Sequence, residues 1–256
     1  MSRSEADTIL DEAERLWLAG EKPQAREALQ RARLSFHQAG DSTGEAEALL
    51  RIGDMAAETG LANAAREAWV EARALYAHAG EQAHQASILV RLARLARQDG
   101  DEAAALSHYL AAFTLYEAAS DYSGLGHVAR KLGHLDREAG RQDKALDRYR
   151  QALAYFRHAG DTLGEAHTLR ALATIAHGLR QLDRARADCE RAVLLFREAG
   201  DLLGEAKGLR ALAQVLADET RTDEARKTML LAAKLFAKAG DGANHAAAET
   251  EARAWG

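Results

Sequence analysis

Apolar residues in this chain recur at helical spacing, and the pattern itself repeats every forty residues, six times over. Each row of forty holds two stretches whose apolar positions fall three and four residues apart, which places them on one face of an α-helix. The second stretch, helix B, carries alanine at Ala25, Ala65, Ala105, Ala145, Ala185 and Ala225, and again seven residues later at Ala32, Ala72, Ala112, Ala152, Ala192 and Ala232. Seven residues are about two helical turns, so both columns share a face, and alanine there lets neighbouring backbones approach closely. Near the end of helix B runs an unbroken aromatic column: Phe36, Tyr76, Tyr116, Phe156, Phe196 and Phe236. Helix A carries Ile9, Leu49, Leu89, Ala129, Leu169 and Leu209 beside a small column of Ala13, Gly53, Ala93, Gly133, Ala173 and Ala213. Large and small residues in fixed alternation are what interlocking layers require. In row two the pattern predicts helix A over roughly 43–59 and helix B over roughly 62–79.

Turn signals separate the helices. Ala-Gly closes the rows at Gly40, Gly80, Gly160, Gly200 and Gly240, with Ser120 as the substitute, and Gly20, Gly60, Gly100 and Gly140 mark midpoints where Arg180 and Thr220 stand in the last two rows. Glycine past a helix end permits the left-handed conformation that terminates it. The acid after each closure (Asp41, Glu81, Asp121, Asp161, Asp201, Asp241) is placed to cap the next helix. Pro23 stands where a helix starts and a missing N–H is harmless. A period of this size predicts a stacked all-α array: one domain over residues 1–256, with repeats 1–40, 41–80, 81–120, 121–160, 161–200 and 201–240 and a capping helix over 241–256. In that cap Glu249 occupies the column of Leu169 and Leu209, as a solvent-facing end requires.

Composition narrows the function. Apolar residues make up 47% of the chain and aromatics 5%, which suits close helix packing rather than a bulky core. Lys and Arg number 34 against 39 Asp and Glu, a net charge of −5 that argues against a general nucleic-acid binder. The single cysteine, Cys189, excludes an internal disulfide, fits a reducing, cytoplasmic compartment, and falls on a buried column where it packs rather than reacts. The opening MSRSEADTILDEAERL is acidic without an apolar run, so no secretory leader is expected, and no stretch has the length and apolarity of a membrane span. No nucleophile elbow, HExxH, phosphate loop or Gly-rich nucleotide turn is present, so a non-enzymatic protein without cofactor is expected. The repeats account for the whole chain.

The columns resemble the tetratricopeptide repeat in a forty-residue form. The family pattern, a Leu-Gly pair in helix A, a turn glycine, then Ala, aromatic, Ala in helix B, is matched by Ile52-Gly53, Gly60, Ala65, Trp69 and Ala72, and by Leu132-Gly133, Gly140, Ala145, Tyr149 and Ala152. Later rows drift, with Cys189 and Met229 for the aromatic and Ala173 and Ala213 for the glycine, and the family's proline after helix B is missing. The resemblance implies a right-handed α-solenoid of six helix-turn-helix repeats plus a C-terminal capping helix, with helix A lining the concave side.

By that register the groove carries Arg91, Arg94 and Arg97 in row three; His127, Arg130, Lys131, His134 and Arg137 in row four; His167, Arg170, Thr174 and His177 in row five; and Lys207, Arg210 and Gln214 in row six. Rows three to six hold nine Lys or Arg and no acid in these columns, within a net acidic chain. Such a strip favours an anionic partner, and the arginine fork pairs bidentately with carboxylate or phosphate. Rows one and two contrast, with Leu10, Trp17 and Leu50 forming an apolar mouth bordered by Glu14, Glu47 and Asp54. The expected function is a protein–protein interaction scaffold or receptor that holds an acidic, partly apolar peptide segment. Two alternatives stand beside it: a self-associating scaffold, through an array end or Trp255, and polyanion or nucleic-acid binding through the basic strip, marked by steep salt dependence. Relatives that clamp a C-terminal carboxylate use Lys and Asn, and these columns hold no Asn, which argues against that clamp. His127 and His134 lie two turns apart among arginines, so no metal site is expected, and nearby arginines should lower the histidine pKa values.

Overall fold

The computed structural model describes residues 3–255. Among them stand thirteen α-helices and no strand: α1 (Arg3–Leu18), α2 (Lys22–Ala39), α3 (Ser42–Glu58), α4 (Ala62–His78), α5 (Gln82–Gln98), α6 (Glu102–Ala118), α7 (Tyr122–Glu138), α8 (Gln142–Ala159), α9 (Thr162–Gly178), α10 (Leu182–Glu198), α11 (Leu202–Asp218), α12 (Thr222–Lys238) and α13 (Gly242–Arg253). Odd-numbered helices are the A helices of successive rows and even-numbered ones the B helices. The chain is all-α, six helical pairs followed by α13. It divides into two compact units, Met1–Gly124 and Leu125–Gly256, the division falling within α7.

Both alanine columns of the B helices are fully buried, every member at 0% exposure, and the whole aromatic column is buried with them. In the first unit Ala28, Leu29, Ala32 and Phe36 of α2 join Ala6, Ile9, Leu10 and Ala13 of α1 in one apolar cluster. In the second, Ala145 and Tyr149 of α8 pack with Leu172 and Ile175 of α9, and Ala192, Leu195 and Phe196 of α10 with Ala166 and Leu169. Ala248 and Ala252 seat α13 on Met229, Ala232 and Phe236 of α12, with Trp255 partly buried against the same cluster. Glu249 stays at the half-exposed edge, pairing with Arg253 at 3.2 Å.

Each of α1 to α12 is followed by a left-handed residue. At Gly40 (φ 69°) the N–H donates to the His37 carbonyl, and the Asp41 N–H reaches back to the Phe36 carbonyl, satisfying carbonyls the helix leaves open. Ser120, Arg180 and Thr220 hold the same conformation without glycine, at φ 55°, 60° and 63°, a strain of about 1 kcal/mol each. Asp41, Asp121, Asp161, Asp201 and Asp241 each accept a backbone N–H three residues on. Glu81 makes no such bond, so one of the six predicted caps is absent; its longer side chain overshoots the N–H that aspartate meets.

Where each pair hands over to the next, glycine meets the aromatic column. Gly44, Gly124, Gly164 and Gly204 lie against the rings of Phe36, Tyr116, Phe156 and Phe196, too close for a β-carbon. A buried glutamate follows at Glu45 and Glu205, with half-buried Glu165 in the same column. Glu45 accepts from His37 Nδ1 (2.9 Å), Glu165 from Arg157 Nε (3.0 Å) and Glu205 from Arg197 Nε (2.8 Å). In row three His84 replaces the glycine and stacks on Tyr76, ring centroids 4.7 Å apart.

Candidate functional site

The inner columns of the A helices sit at the rim of the core, and what occupies them decides the chemistry. In the first unit two rim arginines, Arg51 and Arg91, are neutralised from within the chain. Arg51 donates to Glu14 (2.6 Å) and Glu47 (3.0 Å). Arg91 is held bidentately by Asp54, Nε to Oδ1 at 2.6 Å and a terminal nitrogen to Oδ2 at 2.9 Å, while Asp54 Oδ1 also accepts from Trp69 Nε1 at 3.1 Å. Arg94 is exposed and Arg97 half-buried.

The apolar mouth is built differently from the sequence-based expectation. Leu10 is 4% exposed and belongs to the core cluster of α1 and α2, so it offers no groove surface. Its column lies at the core boundary, where a short aliphatic side chain turns inward while a long arginine reaches outward. Leu50 is half-buried and lines neither cavity here. Trp17 is partly exposed and borders two cavities. One, of about 180 Å³, is lined also by Leu29, Met55, Glu14, Asp54 and Glu58. The other, of about 570 Å³, includes Pro23, Ile52, Met55 and Leu61. Lys22 Nζ stands 4.9 Å from the Trp17 ring centroid, a cation–π contact. Met55 is the residue missed: the later members of its column, Leu95, Leu135, Ile175 and Val215, are all buried.

In the second unit one inner arginine is neutralised and two are not. Arg210 is paired with Glu251 of α13 and donates to Asn244 Oδ1 at 3.1 Å, while Gln214 donates to the same Glu251 at 3.3 Å. His177 bonds Asp218 at 2.9 Å, and Arg180 also pairs with Asp218. Arg130 and Arg170, one repeat apart on α7 and α9, make no ion pair among the described residues, and the Nε of each is buried without an acceptor. Burial, first, and then the other arginine hold the Arg130 pKa below the usual range; burial and then Arg137 do so for Arg170, against the pull of Cys189 and Asp201.

Two imidazoles and a phenol stand beside this pair, with Asp161 and Asp201 near enough to act on it. His127 is pushed down to about 4 by burial, with Arg130 and Lys131 adding to it against Asp161. His167 is likewise pushed down to about 4, by burial and then by Arg130 and Arg170, with its ring edge-on to Phe196 at 4.8 Å. Both imidazoles are therefore neutral at pH 7. Tyr149, held near 12 by burial, bonds His134 Nδ1 at 2.9 Å. Thr174 gives its hydroxyl to the Arg170 carbonyl at 3.0 Å, so it serves its own helix. Lys131 is half-buried; Arg137 and Lys207 are exposed. Buried Cys189 is pushed up to about 12, well away from a reactive thiolate. Among the described residues no group of three His, Cys, Asp or Glu is placed to hold a metal ion, and no helix is long and apolar enough to cross a membrane.

The tetratricopeptide repeat family model matches residues 84–158. No curated protein sequence matches the chain. Among solved structures the fold is similar to the apo form of RapI, at 14% identity over 98% of this chain and 98% of that one, with a TM-score of 0.70. It is also similar to a Rap protein complexed with Competence and Sporulation Factor (13% identity, 98% and 74% covered, TM-score 0.65). A third likeness is to the APC/C hetero-tetramer Cut9–Hcn1 (16% identity, 96% and 42% covered, TM-score 0.67). With Gly133 against Tyr149, fully buried alanine columns and a left-handed residue at each turn repeating at the forty-residue period, the chain folds as an all-α repeat array that matches the tetratricopeptide repeat over residues 84–158.

Proposed function

We propose that this protein is a non-enzymatic receptor or scaffold whose second unit captures an acidic peptide segment at the face of α7, α9 and α11. The observation that carries the reading is the Arg130–Arg170 pair. Other half-buried arginines of these columns are neutralised from within the chain, Arg91 by Asp54 and Arg210 by Glu251, whereas these two keep buried Nε–H groups without acceptors. A native protein leaves such donors open only at a penalty, which an incoming carboxylate would remove. Apolar side chains of a partner would be taken separately, in the first unit, by the cavities beside Trp17 and Met55. Two proteins of similar fold are described with partners, a Rap protein with Competence and Sporulation Factor and Cut9 with Hcn1, which fits a repeat surface used for holding another molecule.

The test is fluorescence polarisation with a labelled peptide rich in Glu and Leu and its Gln-for-Glu counterpart. The acidic peptide should bind more tightly, and Arg130→Glu with Arg170→Glu should weaken it at least about a hundredfold, consistent with loss of two charge-assisted contacts, leaving helicity unchanged. Equal binding of both peptides, or unchanged binding by the double variant, would remove this assignment.

A further inference from the structure

The Arg130–Arg170 pair calls for more negative charge than one side-chain carboxylate supplies, a conclusion that rests on the reading of this face as a binding surface. Elsewhere a single carboxylate is enough for one arginine, Asp54 engaging Arg91 through both oxygens and Glu251 pairing with Arg210, and Arg51 takes two, Glu14 and Glu47. Arg130 and Arg170 are close enough to disfavour each other's charge. The carboxylates they sense, Asp161 and Asp201, each have one oxygen committed to a helix cap, on Gly164 N–H at 2.7 Å and Gly204 N–H at 2.8 Å. His127 and His167 add ring N–H donors beside the arginines without adding charge at neutral pH. The result is two fixed positive charges, two buried Nε–H donors without acceptors, and two neutral imidazoles on adjacent A helices.

We propose that Arg130, Arg170, His127 and His167 form a site for a phosphoryl dianion, carried on a phosphorylated peptide side chain or supplied as free phosphate. A phosphoryl group presents three acceptor oxygens and a charge of about −1.5 to −2 at pH 7. Two planar guanidinium forks match that group through paired N–H···O bonds. A carboxylate or a phosphodiester, each a monoanion, neutralises one arginine and leaves its neighbour buried and uncompensated.

The experiment uses three labelled peptides of one sequence with phosphoserine, glutamate or serine at the central position, at fixed ionic strength, with competition by inorganic phosphate and by acetate. Phosphoserine should bind at least about tenfold more tightly than glutamate, as expected when a second charge-assisted bidentate contact forms, and phosphate should compete where acetate does not. Arg130→Met with Arg170→Met should erase the preference. Competition by phosphate without a gain for the phosphoserine peptide supports the site with the free anion as its source. If glutamate binds as tightly as phosphoserine and phosphate competes no better than acetate, the phosphoryl assignment is overturned while the acidic-peptide reading stands. Failure of all three peptides and of phosphate overturns both, and a preference that survives in the double variant overturns the assignment to these residues.

Discussion

Arg130→Met with Arg170→Met is expected to melt at a higher temperature than the parent protein while losing its anion binding. The two guanidiniums are desolvated, oppose each other, and have no ion-pair partner among the described residues. Burying a charge without a partner is unfavourable, and replacing buried charged groups by apolar residues of similar volume is often stabilising. Methionine keeps the apolar stem that lies along the core rim and removes the charge. The two arginines are partly exposed, so water screens part of the repulsion, and a gain of about 1–2 kcal/mol is expected. The same change at Arg91 should act in the opposite direction, because it strips Asp54 of a bidentate partner. Thermal melts of the three proteins check the contrast. A double variant that melts lower, as the Arg91→Met control should, would mean that Arg130 and Arg170 are structural.

Gly164→Ala should destabilise the second unit, whereas Gly178→Ala, at the far end of the same helix, should not. Phe156 is held between two glycines, Gly126 of α7 and Gly164 of α9, and a β-carbon at either would overlap its ring. That ring is 1% exposed. Overpacking of this kind costs about 1–3 kcal/mol. At Gly178 a β-carbon meets nothing within 4 Å, so alanine there gains helix propensity of up to about 1 kcal/mol. Urea unfolding of the two variants should shift in opposite directions. Equal shifts would show that the glycine column does not set the spacing between repeats.

The repeats were legible because each of their columns is a single property repeated at constant spacing. Alanine at Ala145 or phenylalanine at Phe156 reads as core in any row, and the structure buries both. The joint was harder to see. Gly44, Gly164 and Gly204 stand in the first turn of a helix, where glycine looks like loop punctuation, and their meaning lies in the aromatic ring eight residues earlier in the chain. The basic columns were legible as a strip, but not which members stay unpaired. Arg91 meets Asp54 from 37 residues away and Arg210 meets Glu251 from 41, so neutralisation is written between rows while charge was counted within them. Leu10 was misplaced for a related reason, since a boundary column points inward or outward according to side-chain length rather than register.

The most direct measurement is the NMR signal of the arginine Nε–H groups during titration with an acidic or phosphorylated peptide. The Arg130 and Arg170 signals should move downfield together with one saturation constant, as an acceptor reaches donors that had none, while those of Arg91 and Arg210 stay in place. Movement of Arg91 or Arg210 at a lower ligand concentration, with Arg130 and Arg170 unchanged, would contradict the assignment of the anion site.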